Sequence, residues 1–251
     1  YFDEDIDSLR VQQFTNTTFI RDNNSYMKNR NKALFGQIDY TPAALERLTL
    51  TVGARYTEEE KEMARFLRNY LNSTGTFAIR DPGPNLVLPT LEFSNTSLMF
   101  SPSYRVTDNL NVYLRFAEGF RSGGYDGQAS SAASAAVPYK SEELTAYEAG
   151  VKSRWLDGRL TVNGAAFWID WQDLQQRQGL SCGFTLTLNA GTARLKGAEL
   201  ELDYAVASGT HFHVGLGYID SEITDNGGLA TVIEGSEVQN VPNLTWNAAF
   251  E

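Results

Sequence analysis

The chain has 251 residues, 42% of them hydrophobic and 21% charged, with a formal net charge of −10 at neutral pH. That is too apolar for a disordered chain and too polar for a bundle of membrane helices, and its acidity excludes a phosphate-gripping nucleic-acid surface. A single cysteine, Cys182, excludes an internal disulfide framework and a cysteine-based zinc site.

The first residues, Tyr1-Phe2-Asp3-Glu4-Asp5, have no basic n-region and no apolar h-region. The expectation is that a signal was removed or that the chain starts mid-protein, with Tyr1–Asp5 ending a strand. A polar stretch, Ile6–Arg30, then reads as a long loop, and Leu34–Tyr40 as a weakly alternating strand. After a short turn at Pro42–Arg47 comes the clearest element. Leu48, Leu50, Val52, Ala54 and Tyr56 alternate with Thr49, Thr51, Gly53, Arg55 and Thr57. Successive strand side chains point to opposite faces, so this is a strand with one apolar and one polar side.

The same period recurs down the chain. A long polar stretch, Glu58–Asn95, precedes a weak strand at Leu98–Val106 and a short turn at Thr107–Asn109. Leu110, Val112, Leu114 and Phe116 alternate with Asn111, Tyr113 and Arg115. A long stretch, Arg121–Glu143, leads to a weak strand at Tyr147–Trp155 and a turn at Leu156–Gly158. Leu160, Val162, Gly164, Ala166 and Trp168 form the next apolar face, followed by the polar stretch Gln172–Asn189. Ala198, Leu200, Leu202 and Tyr204 then alternate with Glu199, Glu201 and Asp203. Beyond a turn at Ala207–Gly209, Phe212, Val214, Leu216 and Tyr218 alternate with His211, His213, Gly215 and Gly217. The polar stretch Ser221–Asn240 and a weak strand at Leu244–Phe250 complete the chain.

This is about nine to ten antiparallel strands joined by connections that are alternately short and long. Tight periplasmic turns and long extracellular loops are the layout of a transmembrane β-barrel. A soluble sandwich has no reason to gather its long loops at one end, since loops beyond about 12–15 residues are uncommon in compact domains. The aromatic residues supply an independent test. With short turns on the periplasmic side, Tyr40, Tyr104, Trp155 and Tyr204 sit on the apolar face at periplasmic ends. Tyr56, Phe116, Trp168 and Tyr218 sit on it at extracellular ends. Two such girdles are where amphipathic rings collect, one at each headgroup level.

Several segments together resemble the barrel of TonB-dependent outer-membrane receptors. They are ALFGQIDY, LTLTVGARYTEEEK, NVYLRFAEGFRSGGYDG (Asn111–Gly127), YEAGVKSRWLDGRLTVNGAAFWIDWQDLQ (Tyr147–Gln175), NAGTARLKGAELEL (Asn189–Leu202) and VPNLTWNAAF. The resemblance covers most of the chain outside the long loops. It implies a barrel of about twenty-two strands filled by an N-terminal plug. It also implies energy-coupled import of a scarce ligand such as a ferric siderophore, powered by the inner-membrane TonB complex. Residues 1–251 then read as an internal part of that barrel domain, with the plug domain, the TonB-contacting region and the C-terminal strands outside the chain. The expected location is the bacterial outer membrane, with outer-membrane lipid around the barrel.

No enzyme motif is present: there is no Gly-x-Ser-x-Gly elbow, and neither histidine has a Ser–Asp partner set. No cofactor is expected. His211-x-His213 places two imidazoles on one strand face, but two ligands are too few for a metal site, so they read as lumen-facing residues in water. Gly119–Gly124 lacks the Lys-Ser/Thr ending of a phosphate loop and reads as turn geometry. Glu58-Glu59-Glu60 and the acids of Asp3–Asp7 read as solvated loop charge, because hard cations need six or more converging oxygens. Asn-x-Ser/Thr sites such as Asn16 and Asn72 are composition.

Arg121, Tyr125, Tyr139 and Lys140 are candidate ligand contacts, because they stand in a long loop where a substrate would enter and are of binding types. Glu148 and Glu199 share the lumen parity, one strand apart, which sets them about 10 Å apart laterally. The resemblance maps them onto acids that grip arginines of the plug. Two other functions fit a barrel-like pattern, a passive porin or an adhesive barrel, and a soluble glycan-binding β-domain is the third alternative.

Overall fold

The computed structural model describes residues 2–13, 19–71, 77–79, 86–127, 129, 132–179, 185–207, 209–229 and 231–250. Asn16, Asn72 and Cys182 lie outside them. In chain order the elements are β1 (Phe2–Gln13), β2 (Phe19–Tyr40), β3 (Leu48–Leu71), β4 (Phe77–Ile79), β5 (Leu86–Val87), β6 (Leu91–Thr107) and β7 (Leu110–Arg121). They continue with α1 (Ala132–Ala135), β8 (Glu142–Trp155), β9 (Leu160–Gln172), β10 (Gln175–Gly179), β11 (Thr185–Asn189), β12 (Thr192–Ala207), β13 (Thr210–Asp225) and β14 (Leu244–Phe250).

Ten strands form one antiparallel meander in the order β1-β2-β3-β6-β7-β8-β9-β12-β13-β14. The small strands β4 and β5 pair with the upper part of β3, and β10 with β11 makes a separate hairpin. The short turns fall where the alternation places them. The turn between β8 and β9 is closed by Leu156, Asp157 and Gly158, all at positive φ, with Gly158 at +85°. Glycine adopts that region without steric cost.

One face of the meander carries Leu34, Ile38, Val52, Leu114, Leu200 and Leu216, all exposed. Leu34 and Ile38 are 78% and 72% exposed, far beyond what water tolerates in a continuous band. This is the lipid face. The predicted upper girdle is visible in the register: Phe116 pairs with Tyr147 and Tyr147 with Trp168. The rings of Phe116 and Tyr147 have centroids 5.6 Å apart.

The long polar stretches differ from the sequence reading. Ile6–Arg30 is not a loop: β1 runs on to Gln13, and β2, 22 residues long, begins at Phe19. Glu58–Asn95 is likewise shortened, because β3 continues for 24 residues to Leu71. About 9–11 tilted residues cross a bilayer, so these strands overshoot it. Above the girdle their outer face meets water and carries charge instead of apolar groups. Lys28, Arg30 and Lys32 stand directly opposite Glu62, Glu60 and Glu58 across the β2–β3 pair. The Arg30 guanidinium bridges Glu60 at 3.1 Å and Glu62 at 3.0 Å. Glu58-Glu59-Glu60 therefore lies in a strand. The Asp3–Asp7 acids also lie in one, β1.

The inner face changes in the opposite sense. Below, it is polar. Above the girdle it turns apolar, with Ile169, Trp171, Ala193, Leu195, Ile219 and Ile223 all on lumen parity. The β13–β14 connection folds inward over them through Leu229, Val232, Val238 and Val241, joined by Leu174 and Ala190. A second inner cluster forms against β3, where Met63 packs with Leu88, Tyr125, Ala129 and Ala135. The buried apolar core of this chain thus sits inside the extracellular mouth, where loops are available to cover it.

Candidate functional site

Two regions carry unusual chemistry: the β7–β8 loop at the mouth and the polar wall below it. The loop runs from Ser122 to Ser141, and the first of its described residues dock inward rather than projecting outward. Residues Ser122 to Gly127 are all buried. Its two ends are clipped by reciprocal backbone bonds between Gly124 and Tyr139, 3.0 and 2.9 Å. Gly123 is obligatory here, because a Cβ would sit 2.2 Å from the Tyr139 carbonyl. Arg65, 2% exposed, donates from Nη2 to the Ala129 carbonyl at 2.6 Å. Asp126 accepts from the Thr187 N–H at 2.7 Å, and Ser122 donates its hydroxyl to the Glu59 carboxylate.

The sequence-predicted contacts have distinct places in this loop. Arg121 ends β7; its Nε meets the buried Glu142 carboxylate at 2.8 Å while its side chain stays 59% exposed. Tyr125 is 5% exposed and donates its hydroxyl to the Pro89 carbonyl at 2.9 Å. It packs the loop rather than facing the vestibule. Tyr139 is half-buried; burial first, then the nearby Asp126 charge, pushes its phenol up, and burial alone does the same to Tyr125. Lys140 exposes its side chain, while its backbone is held by Asn189: the amide donates to Asn189 Oδ1 at 2.7 Å and the carbonyl accepts from Asn189 Nδ2 at 3.0 Å.

Sequence reading passed over the residues that fix the loop. Glu142 accepts from the Gln175 N–H at 2.6 Å as well as from Arg121, and Gln175 Nε2 reaches the Ser122 and Lys140 carbonyls, both at 3.0 Å. Arg65 and Asp126 likewise join segments far apart in the chain. The only signal was the Asn189-Ala-Gly step within a quoted motif, which marks a return into a strand.

Below the loop the lumen wall is a grid of lateral rows. One runs Arg105, Asn111, Lys152, Asn163, Glu201 across β6 to β12. The next row up runs Ser103, Tyr113, Gly150, Ala165, Glu199. Glu148 stands one row higher, opposite Arg115 and Phe167. Glu148 and Glu199 therefore share the lumen and the expected lateral separation, with a two-residue offset along the barrel. Both line one recess of about 160 Å³ with Tyr113, Lys152, Asn163 and Glu201. Glu148 accepts a 2.5 Å hydrogen bond from the Tyr113 hydroxyl. Lys152 Nζ stands 5.6 Å from the Tyr113 ring. Lower down, His213 Nδ1 hydrogen-bonds Asp203 at 2.7 Å. Among the described residues no group of three or more His, Cys, Asp or Glu could hold a metal ion.

What this arrangement can do is bind and hold, through charge, hydrogen bonds and a partly apolar vestibule. Comparison with known proteins agrees in fold. The family model described as TonB dependent receptor-like, beta-barrel matches residues 1–251. The pesticin receptor of Yersinia enterocolitica (serotype O:8 / biotype 1B) is 32% identical over 142 residues, which is 57% of this chain and 20% of the relative. The metal-pseudopaline receptor CntO of Pseudomonas aeruginosa (strain UCBPP-PA14) is 30% identical over 139 residues, 55% of this chain and 18% of the relative. The chain thus matches about a fifth of the length of these curated relatives. Among solved structures, the ferric yersiniabactin uptake receptor FyuA of Yersinia pestis superposes with a TM-score of 0.70 at 21% identity, covering 92% of this chain and 32% of that one.

Proposed function

This chain belongs to the TonB-dependent receptor-like β-barrel family, and on that premise we propose that it forms part of a receptor for energy-coupled uptake of a metal chelate of the ferric siderophore class. Outer-membrane lipid surrounds its apolar face. The observation that carries the reading is the reversal of the inner wall, polar in the membrane and apolar at the mouth, with loops folded in to complete it. A passive pore needs a wetted lining throughout. A receptor needs a shaped, partly apolar vestibule with a few polar groups to orient its ligand. A relative and a solved structure whose names record metal-pseudopaline and ferric yersiniabactin support the choice of ligand class.

In this reading Arg121, Tyr139 and Lys140 meet the ligand at the rim, and Tyr125 positions the loop that presents them. Glu148 and Glu199 face a plug domain outside this chain, each able to accept a guanidinium fork. The TonB complex engages the receptor through a region also outside it. No covalent chemistry is involved. The intact receptor, expressed in cells lacking their own receptors, should take up radiolabelled iron as ferric yersiniabactin or another ferric siderophore, and a protonophore should stop it. Uptake that persists with the protonophore, or conductance typical of an open pore, overturns the proposal in favour of a passive barrel.

A further inference from the structure

The lumen wall is divided by charge. Near its periplasmic end, Arg105, Lys152 and Arg154 line one recess of about 420 Å³ with Asn109, Asn111, Thr161 and Asn163; Asp108 is its only acid among the described residues. The acids Glu199, Glu201 and Asp203 stand on β12 instead, with the neutral residues Thr161, Asn163 and Ala165 of β9 between. Lys152 and Glu201 occupy the same row but are two strands apart, about 10 Å laterally, beyond ion-pair reach. Among the described residues none of the three cations makes an ion pair, whereas Asp203 already has a hydrogen-bond partner in His213.

We propose that Arg105, Lys152 and Arg154 form a docking stripe for an acidic polypeptide segment that fills the lumen. The inference rests on the receptor reading above and adds to it a contact of opposite sign from that of Glu148 and Glu199. The spacing identifies the partner. Lys152 and Arg154 are two residues apart on one strand, about 7 Å, and Arg105 is two strand spacings from Lys152, about 10 Å. One phosphate meets all three only if the long side chains bend inward to a common point, whereas two or three carboxylates on one segment match them in place, since helix positions three or four apart are about 5–6 Å apart and strand positions two apart about 7 Å. The two stripes then act as a key. A lumen-filling domain seats only with acids against the periplasmic ends of β6 and β8 and bases against Glu148 and β12, because a rotated domain brings like charges together.

Lys152 allows a direct test in the intact receptor. A carbodiimide joins a lysine amine to a carboxylate only when the two touch, and mass spectrometry identifies both residues. The expected product joins Lys152 to an Asp or Glu outside residues 1–251 and vanishes in Lys152→Arg, which keeps the charge. Reversing all three charges (Arg105→Glu, Lys152→Glu, Arg154→Glu) should speed hydrogen exchange in the cross-linked segment at least tenfold, and added inorganic phosphate should not reproduce this. If Lys152 links only to Glu148 or Glu201, or to nothing, while the wild-type receptor still excludes small antibiotics, the stripe has no acidic partner and the proposal fails. If the wild type is itself an open pore, the receptor reading fails with it.

Discussion

Tyr113 fills the space that a side chain at Gly150 would take: a Cβ there would lie 2.4 Å from the ring's Cζ and hydroxyl. The two residues are direct cross-strand partners on β7 and β8. The missing side chain lets the ring reach sideways, so its hydroxyl meets Glu148 at 2.5 Å. Gly150→Ala should therefore displace Tyr113 and cost about 1–3 kcal/mol, the usual penalty for overpacking. Urea titration of the intact barrel in micelles measures it. Tyr113→Ala in the same chain should recover part of the loss, and strictly additive effects would refute the packing argument.

The two faces of β3 predict opposite tolerance to charge. Leu50 faces lipid and Thr51 faces the lumen, where its hydroxyl donates to Asp39 at 2.6 Å. Leu50→Arg should cost about 2–4 kcal/mol in a folding titration, and Thr51→Arg much less. The same contrast is expected for Val162 against Asn163 and for Leu200 against Glu199. Equal costs at Leu50 and Thr51 would mean that the lipid face is misassigned.

Glu148→Gln combined with Glu199→Gln should loosen the proposed plug and let small antibiotics pass. Stranding an opposite charge costs about 3–5 kcal/mol when it is buried and far less where water reaches it; the lumen is open to water, so the low end applies. Antibiotic sensitivity of cells carrying the intact receptor reads the leak. No added leakage, together with no coupling to any plug arginine in a double-mutant cycle, would make these two residues ordinary lumen charges.

Arg65, on β3, pins the β7–β8 loop through the Ala129 carbonyl. Arg65→Leu should leave the Ala129 carbonyl buried without its donor, a loss of about 1–3 kcal/mol. The barrel should still fold, because the site lies above the membrane. Trypsin should then nick the loop after Arg121 or Lys140 at least tenfold faster than in the wild type. Unchanged proteolysis would show that the loop is held without Arg65.

Alkaline pH should release the same loop. The folded-state pKa values of Tyr125 and Tyr139 are raised above the usual 10.0. The docked loop thus favours the protonated phenols: its stability is whole below pH 10 and falls as pH rises through the raised values. A spin label at Ala136→Cys, in a Cys182→Ser background, should gain mobility above about pH 10. Tyr139→Phe should move that onset upward. An onset unchanged in Tyr139→Phe and in Tyr125→Phe would remove the phenols from the account.

Much of the membrane-embedded part was legible because one rule governs it. Leu48 to Thr57 alternates without a break, and every lipid-facing residue must be apolar whatever its neighbours. The rule fails above the girdle. Lys28, Arg30 and Lys32 read as loop because charge at every second position has no meaning until the outer solvent is known to be water. The apolar positions that would have marked a strand there are on the inner face, where Met27 meets Met63 across the pair. The loop-fixing contacts were not legible at all. Arg65 and Ala129 are 64 residues apart, joined by a side chain and a carbonyl, and no local pattern encodes such a pair. The placement of Arg121 and Lys140 at the rim followed from loop position alone, whereas the burial of Tyr125 depends on Leu88 and Met63, which no spacing connects to it.

The charge ladder between β2 and β3 divides each of these strands into halves that answer to different conditions. Below Tyr56 the strand is held by exclusion from water, which salt hardly weakens. Above it, Lys28, Arg30 and Lys32 face Glu62, Glu60 and Glu58 in the open, where the Debye length is about 8 Å at physiological ionic strength and shrinks as salt rises. High salt should therefore fray the rim while the membrane belt stays intact, so the height of the ordered wall around the entrance becomes a function of the medium outside the cell.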